Sequence, residues 1–340
     1  MKSIHKIGVI MFGLLGDVLI RTPVIRALKD IYPDAKITAI VDPIGVHLLS
    51  YNEYVDDIII VNRNDKSKIK KNIEKLKGIF TVYSKHFDLL LNLYNGGSSH
   101  LLVALSGAKY KLAFCNQTKS TYNVWNECNG DRLKEAQSMY SYMISIVEPL
   151  SSKDYSLQPV FNTTQKTNLK MYEYFKGLTT QGNGVYLLNL GASKEDKLLD
   201  MKKYIKIVEY IYKTYNFIPA IIQNPSQEYL QNDFIENYIK KEDLPFIKLD
   251  SLSLEEIASL MTLTKFTVSP DTGIMHLAMA MDVYTLAIFT YTHPMFVDIH
   301  SDKFIPLYEK FDANTFYQVQ NIPESVLREK IDFLLSKINN

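Results

Sequence analysis

The sequence predicts an α/β protein built from two doubly wound halves, each a parallel sheet with helices on both faces. Three observations carry that expectation. Short apolar runs alternate with longer stretches of helical period, the rhythm of repeated strand–helix units. At 340 residues the chain exceeds what one core usually organises and calls for two domains. The rhythm lapses once, near residues 148–167, where Pro149, Ser151, Ser152, Pro159 and Asn162 cluster as a linker.

Residues 6–12, rich in Ile, Val and Met, form the first strand, and Gly13-Leu14-Leu15-Gly16 breaks it. Thr22-Pro23 then marks a helix start, with threonine at the cap and proline at the first helical position. That helix runs to about residue 31, where Tyr32-Pro33-Asp34 ends it. Strands at 36–41, 57–61 and 88–93 follow, with a helix at 66–79. After the linker, strands at 184–190, 219–223, 246–249, 266–269 and 285–289 alternate with helices at 201–215, 227–238, 253–262 and from 274. A last amphipathic helix, 324–338, carries Val326, Leu327, Ile331, Leu334 and Leu335 on its apolar side. The expected division is 1–160, 161–322 and the terminal helix 323–340. Two Rossmann-like halves of this kind bind ligands beyond the carboxyl ends of their strands, here in a cleft between them.

Composition removes several function classes. Hydrophobic residues make up 46% and charged residues 22%, as in an ordinary soluble domain. With 38 basic against 37 acidic residues, no global field recruits nucleic acid. The lysine-rich stretch Lys66, Lys68, Lys70, Lys71, Lys75 and Lys77 reads as the solvated side of a helix, with an approach to anionic lipid as the alternative. Two cysteines, Cys115 and Cys128, have no metal-ligand spacing and suit a reducing compartment. With no signal peptide and no apolar run of about 18 residues, the expected location is the cytoplasm.

The turns carry the chemistry. Residues 268–281 run from Val-Ser-Pro-Asp-Thr-Gly into an apolar helix. A helix start leaves about four N–H groups unpaired and carries roughly half a positive charge. Asp271 and Thr272 offer a capping carboxylate or hydroxyl, and Gly273 has no side chain to obstruct a ligand, so this is a candidate diphosphate cradle. An ordinary capped core helix is the competing reading, and His276 in its first turn is then structural. In the same half, Asn189-Leu190-Gly191-Ala192-Ser193-Lys194 and Lys197 follow a strand. Gly191 admits close backbone approach, Ser193 brings a hydroxyl, and Lys194 and Lys197 can neutralise phosphate. In the first half, Gly13-x-x-Gly16-Asp17 lacks the G-x-G-x-x-G spacing, which disfavours a nicotinamide enzyme. Asp17 is either a carboxylate at the mouth of a site or a helix-start residue that satisfies local amides.

Taken together, these blocks resemble glycosyltransferase family 9, the group typified by ADP-heptose:lipopolysaccharide heptosyltransferases. The resemblance runs through Gly16-Asp-Val-Leu-Ile-Arg-Thr22-Pro23, Tyr32-Pro-Asp, Phe87-Asp-Leu, Gly191-Ala-Ser193 with Lys197, Leu254-Glu-Glu-Ile-Ala-Ser-Leu260, and Asp271-Thr-Gly273 with His276-Leu-Ala278. It implies a GT-B fold and a metal-independent, inverting transfer of heptose from ADP-heptose, with no bound cofactor. The first half would take the acceptor, the second the nucleotide sugar, and the last helix would cross back to the first. By resemblance Asp17 is the base on the Gly13/Gly16 acceptor-side turn. Ser193, Lys197, Thr272, Gly273 and His276 meet the phosphates, with Lys194 beside them, Asp271 braces their turn or contacts donor sugar hydroxyls, and Glu228 meets the nucleoside. The implied acceptor is a glycolipid, the inner core of lipopolysaccharide or lipooligosaccharide, reached by peripheral contact at the cytoplasmic face of the inner membrane. Leu198-Leu199 and Thr290-Tyr291 depart from the family pattern near the donor pocket. Two other functions remain open: a family 9 transferase with another nucleotide sugar or a capsule or protein acceptor, and an inactive nucleotide-sugar-binding scaffold.

Overall fold

A computed structural model describes residues 4–63, 68–114, 121–125, 138–178, 182–192, 194, 197–224, 226–309 and 322–339. It divides into two compact units, Met1–Asn162 and Thr163–Asn340. Cys115, Cys128 and Ser193 lie outside the described residues.

The first unit contains a six-stranded parallel sheet: β1 (Lys6–Ile10), β2 (Lys36–Val41), β3 (Asp57–Ile60), β4 (Leu89–Asn92), β5 (Tyr110–Ala113) and β6 (Val124–Trp125). Their order is β3-β2-β1-β4-β5-β6, with Ile7 paired to both Ile37 and Leu89. Ile7, Val9, Ile10 and Leu89 to Leu91 are wholly buried, as expected of strands covered on both faces. The helices are α1 (Leu15–Ile31), α2 (Pro43–Leu49), α3 (Lys68–Ser84), α4 (Gly97–Leu105) and α5 (Met139–Ile144).

The second unit repeats the topology. Its strands are β7 (Gly184–Leu188), β8 (Phe217–Ile221), β9 (Ile247–Lys248), β10 (Thr267–Pro270), β11 (Thr285–Ile288) and β12 (Phe304–Leu307), ordered β12-β11-β10-β7-β8-β9. Its helices are α6 (Gln165–Gly177), α7 (Met201–Tyr215), α8 (Glu228–Phe234), α9 (Leu254–Leu263), α10 (Gly273–Ala280) and α11 (Glu324–Asn339). In each sheet the chain reverses its direction of travel between the first and fourth strands, β1/β4 and β7/β10. Those switch points are where α/β sheets hold ligands.

Local chemistry explains the helix ends. Asp200 caps α7 by accepting the Lys202 N–H at 2.8 Å, and Asn216 closes it in the left-handed conformation at φ 57°. Ser253 and Glu256 form a capping box on α9. The expected start of α1 at Thr22-Pro23 is corrected, because the helix begins at Leu15 and Pro23 lies inside it. Pro23 has no N–H for the Leu19 carbonyl one turn back, and the Thr22 hydroxyl supplies the missing donor at 2.7 Å. The same Thr22 oxygen accepts the Val160 N–H at 2.8 Å, while Arg26 donates to the Ser156 and Gln158 carbonyls. These bonds dock the extended segment ahead of α6 onto α1.

The last helix, α11, buries Leu327, Ile331, Leu334 and Leu335 in the second unit's core. Tyr210 and Tyr215 of α7 both donate to its Asp332. The outward face of α3 is not simply a row of lysines. Lys66 lies outside the described residues, and the exposed side carries Ile73, Leu76, Phe80 and Tyr83.

Candidate active site

At the first unit's switch point, the turn after β1 is built on Gly13 at φ +136°, a conformation that favours glycine. A Cβ there would come within 2.6 Å of the Asp17 Cβ, so Gly13 is what lets Asp17 fold back over the turn. Asp17 Oδ2 accepts the Leu14 N–H at 2.9 Å, and the side chain is otherwise exposed. The local-amide role and an open carboxylate therefore coexist in one residue. Gly16 lies beside it in the first turn of α1.

Several residues at this edge were missed by sequence reasoning. Asp42, buried directly after β2, accepts the Gly13 N–H at 2.9 Å. It also takes two bonds from Arg63, Nε at 2.9 Å and Nη2 at 2.6 Å. The Arg63 guanidinium lies 4.2 Å from the Phe12 ring centroid and 4.6 Å from that of Tyr94, so it is fixed on its flat faces as well. Burial works against its charge, but Asp42 and Tyr94 hold it above its ordinary pKa. Arg21, buried one helical turn after Asp17, donates to the Phe12 carbonyl. Burial pulls its pKa below the ordinary value, with the Asp17 carboxylate opposing. Each of Asp42 and Arg63 is a charged residue shortly past the end of a predicted strand, and that position was the available signal. Asn92, at the end of β4, donates to Ser99 at 3.1 Å and to the Tyr122 hydroxyl at 2.7 Å.

The second unit's switch point unites most of the residues expected there. Asn189, just past β7, donates to the Gly191 carbonyl (3.2 Å), Ser269 Oγ (3.0 Å) and Thr272 Oγ1 (3.2 Å). One buried amide thus ties the turn after β7 to the turn after β10, a role the sequence did not reveal. Lys197 Nζ donates to Asp271 Oδ2 at 2.6 Å and to the Asp271 carbonyl at 3.2 Å. The Thr292 hydroxyl donates to the same carboxylate oxygen. Burial raises the Asp271 pKa, but Lys197, His276 and Thr292 together bring it below its ordinary value.

The expectation that Asp271 or Thr272 caps α10 is corrected. Thr272 occupies the cap position but makes no side-chain cap bond, since its hydroxyl is engaged by Asn189 and Asp271 is engaged by Lys197. Among the described residues, Thr272 therefore leaves the start of α10 at Gly273 without its side-chain cap bond. His276 is buried, one turn into the helix. Lys194 is exposed. Glu228 is also exposed, at the first position of α8, and its neighbour Gln227 is the residue set against the Gly191 turn. Gln227 donates to the Ala192 carbonyl at 2.9 Å, and its Oε1 lies 2.6 Å from where a Gly191 Cβ would be. Among the described residues, no cluster of three His, Cys, Asp or Glu side chains could hold a metal ion.

A family model described as glycosyltransferase family 9 (heptosyltransferase) matches residues 79–324. The chain belongs to glycosyltransferase family 9. Among curated proteins, lipopolysaccharide heptosyltransferase 3 of Escherichia coli K12 is 24% identical over 201 residues. That match covers 57% of this chain and only 56% of the relative's length. Among solved structures, E. coli ADP-heptose lipopolysaccharide heptosyltransferase II superposes with a TM-score of 0.77 at 17% identity, covering 98% of this family 9 chain and all of that one (100%). A second E. coli heptosyltransferase, solved with ADP, gives a TM-score of 0.71 at 16% identity over 97% of this chain and 99% of that one. The fold is therefore α/β and of the GT-B class, two Rossmann-like units with parallel sheets.

Proposed function

We propose that this family 9 chain is a metal-independent, inverting glycosyltransferase that moves heptose from ADP-heptose to the inner core of a lipopolysaccharide or lipooligosaccharide. One observation carries the reading: the start of α10, where Thr272 makes no side-chain cap bond, with Lys197 held beside it by Asp271. A cation and a helix start together suit a diphosphate leaving group. The named heptosyltransferase relatives, one of them solved with ADP, support the choice of nucleotide and sugar.

In this reading residues 1–160 bind the acceptor and 161–322 the donor. The acceptor oxygen attacks the anomeric carbon while its proton passes to Asp17, and the bond from that carbon to the diphosphate oxygen breaks. Arg21 lies one helical turn after Asp17 on α1. Charge on the departing ADP is met by the N–H groups at the start of α10, by Lys197 and Lys194, and by Ser193. Asp271 and Asn189 hold the turn, His276 supports Asp271 electrostatically, and Glu228 meets the nucleoside. No described helix is long and apolar enough to cross a membrane, and we assign the protein to the cytoplasm, acting on a lipid-borne acceptor.

Calorimetric titration with ADP, UDP, GDP and CDP, without divalent metal, tests the donor. ADP should bind selectively, and Lys197→Ala should weaken it by about tenfold or more, the usual cost of a lost charge-assisted contact. Selective binding of another nucleotide would overturn the donor, and no binding at all would overturn the transferase reading.

A further inference from the structure

Asp42 occupies the cap position of α2, yet its side chain makes no cap bond there. It turns instead to the neighbouring strand's turn and accepts the Gly13 N–H at 2.9 Å. A buried carboxylate is costly unless it is paired and bonded, and Arg63 meets both oxygens of this one. The Phe12 and Tyr94 rings fix the Arg63 guanidinium in turn, so the carboxylate is held in one plane. The sheet beneath has its own bonds. Strands β1 and β2 pair from Lys6 and Lys36 to Ile10 and Ile40, and the Met11 N–H bonds the Ile40 carbonyl at 2.9 Å. Asp42 acts just beyond the last of these, where the ladder has ended.

What it holds there is the turn that carries Asp17. The Phe12–Gly13 peptide is gripped at both ends, its carbonyl by Arg21 and its N–H by Asp42. The next N–H, that of Leu14, goes to Asp17 Oδ2 at 2.9 Å. Two successive N–H groups thus meet two carboxylates, a buried one and an exposed one. Between them lies Gly13 at φ +136°, a residue with little conformational preference of its own. Without an acceptor for its N–H, the Leu14 N–H and the carboxylate bound to it can turn together. We propose that Asp42, oriented by Arg63, is a positioning residue for Asp17, fixing the Gly13 turn so that Leu14 holds Oδ2 and Oδ1 is left to take the acceptor proton. The inference rests on the reading of Asp17 as the base.

Amide hydrogen exchange at Gly13 and Leu14 of the full chain, together with transfer rates, tests it. In Asp42→Ala both amides should exchange about tenfold faster. Leu14 is the informative one, because its N–H bonds Asp17 and not Asp42. Transfer should slow by about tenfold to a hundredfold with ADP affinity unchanged, the effect of a base displaced by about 1 Å. In an Asp17→Asn background the same substitution should change the rate by no more than about twofold, since nothing is left to position. Thermal melting shows whether Asp42→Ala is folded. If it is not, Asp42→Leu with Arg63→Met removes the acceptor without leaving a charge unpaired, and enters the same measurements. Unchanged Leu14 exchange, or an equal loss of rate in both backgrounds, would overturn the proposal. Wild-type transfer by Asp17→Asn would overturn the base reading instead, and Leu14 exchange would still decide whether Asp42 holds the Asp17 turn.

Discussion

Gly13 and Asp17 show how much one missing side chain can decide. With φ at +136° and the Asp17 Cβ 2.6 Å from any added methyl, Gly13→Ala strains the turn and displaces the carboxylate together. The expected cost is about 1–3 kcal/mol in stability, read by denaturant unfolding, with transfer activity lost and ADP affinity kept. Asp17→Asn should lower the transfer rate by about a hundredfold or more without altering ADP binding, the pattern of a lost general base. Unchanged transfer would remove Asp17 from that role. Asp271 makes a pH prediction. Its pKa is below the ordinary carboxylate value in the folded protein, against burial, because Lys197, His276 and Thr292 favour the charge. The stability it contributes is therefore complete above the ordinary carboxylate range and is lost as pH falls through the folded value. Melting temperatures taken from neutral to acidic pH should fall more steeply for wild type than for Asp271→Asn.

At the scale of an element, α1 depends on an exchange of donors. Pro23 removes the N–H due to the Leu19 carbonyl, and the Thr22 hydroxyl replaces it while also accepting from Val160. Thr22→Val leaves the Leu19 carbonyl and the half-buried Val160 N–H unsatisfied and should cost about 1–3 kcal/mol. Adding Pro23→Ala to that variant restores an N–H for Leu19 but none of the bond to Val160. The double variant should recover part of the loss, and full recovery would mean the Val160 bond contributes nothing. The same pairing explains why Thr22-Pro23 reads as a helix start in sequence. Threonine before proline is also the cap signature, and only the hydroxyl's actual partners distinguish the two.

At the scale of the molecule, one topology occurs twice, and each occurrence has its own core. The cluster around Ile10, Phe12 and Leu90 lies wholly in the first unit, and that around Tyr186, Val268 and Ile331 wholly in the second. Units with separate cores can fold separately. A chain of residues 163–340 should therefore fold alone and, in our reading of the donor site, bind ADP within about tenfold of the intact protein while transferring nothing. Circular dichroism and calorimetry check both halves of that statement. A second unit that folds without binding ADP would reject the assignment of the donor to it.

Hydropathy period, cap residues and turn residues are local properties, and they were sufficient for the alternation of strands and helices, the parallel sheets and most bounds of β2, α7 and α11. They also singled out the Gly13, Gly191 and Asp271 turns, because glycine and short polar residues mark such turns within a few positions. A short edge strand such as β6, two residues long, carries too little pattern to be read this way. Contacts between distant positions were beyond reach for a different reason. Asn189 meets Ser269 across 80 residues, Lys197 meets Asp271 across 74, and Arg63 meets Asp42 across 21. No local period encodes which polar side chains share a sheet edge. Strand order decides it, by bringing β1 beside β4 and β7 beside β10, and strand order follows from packing the whole unit around its core.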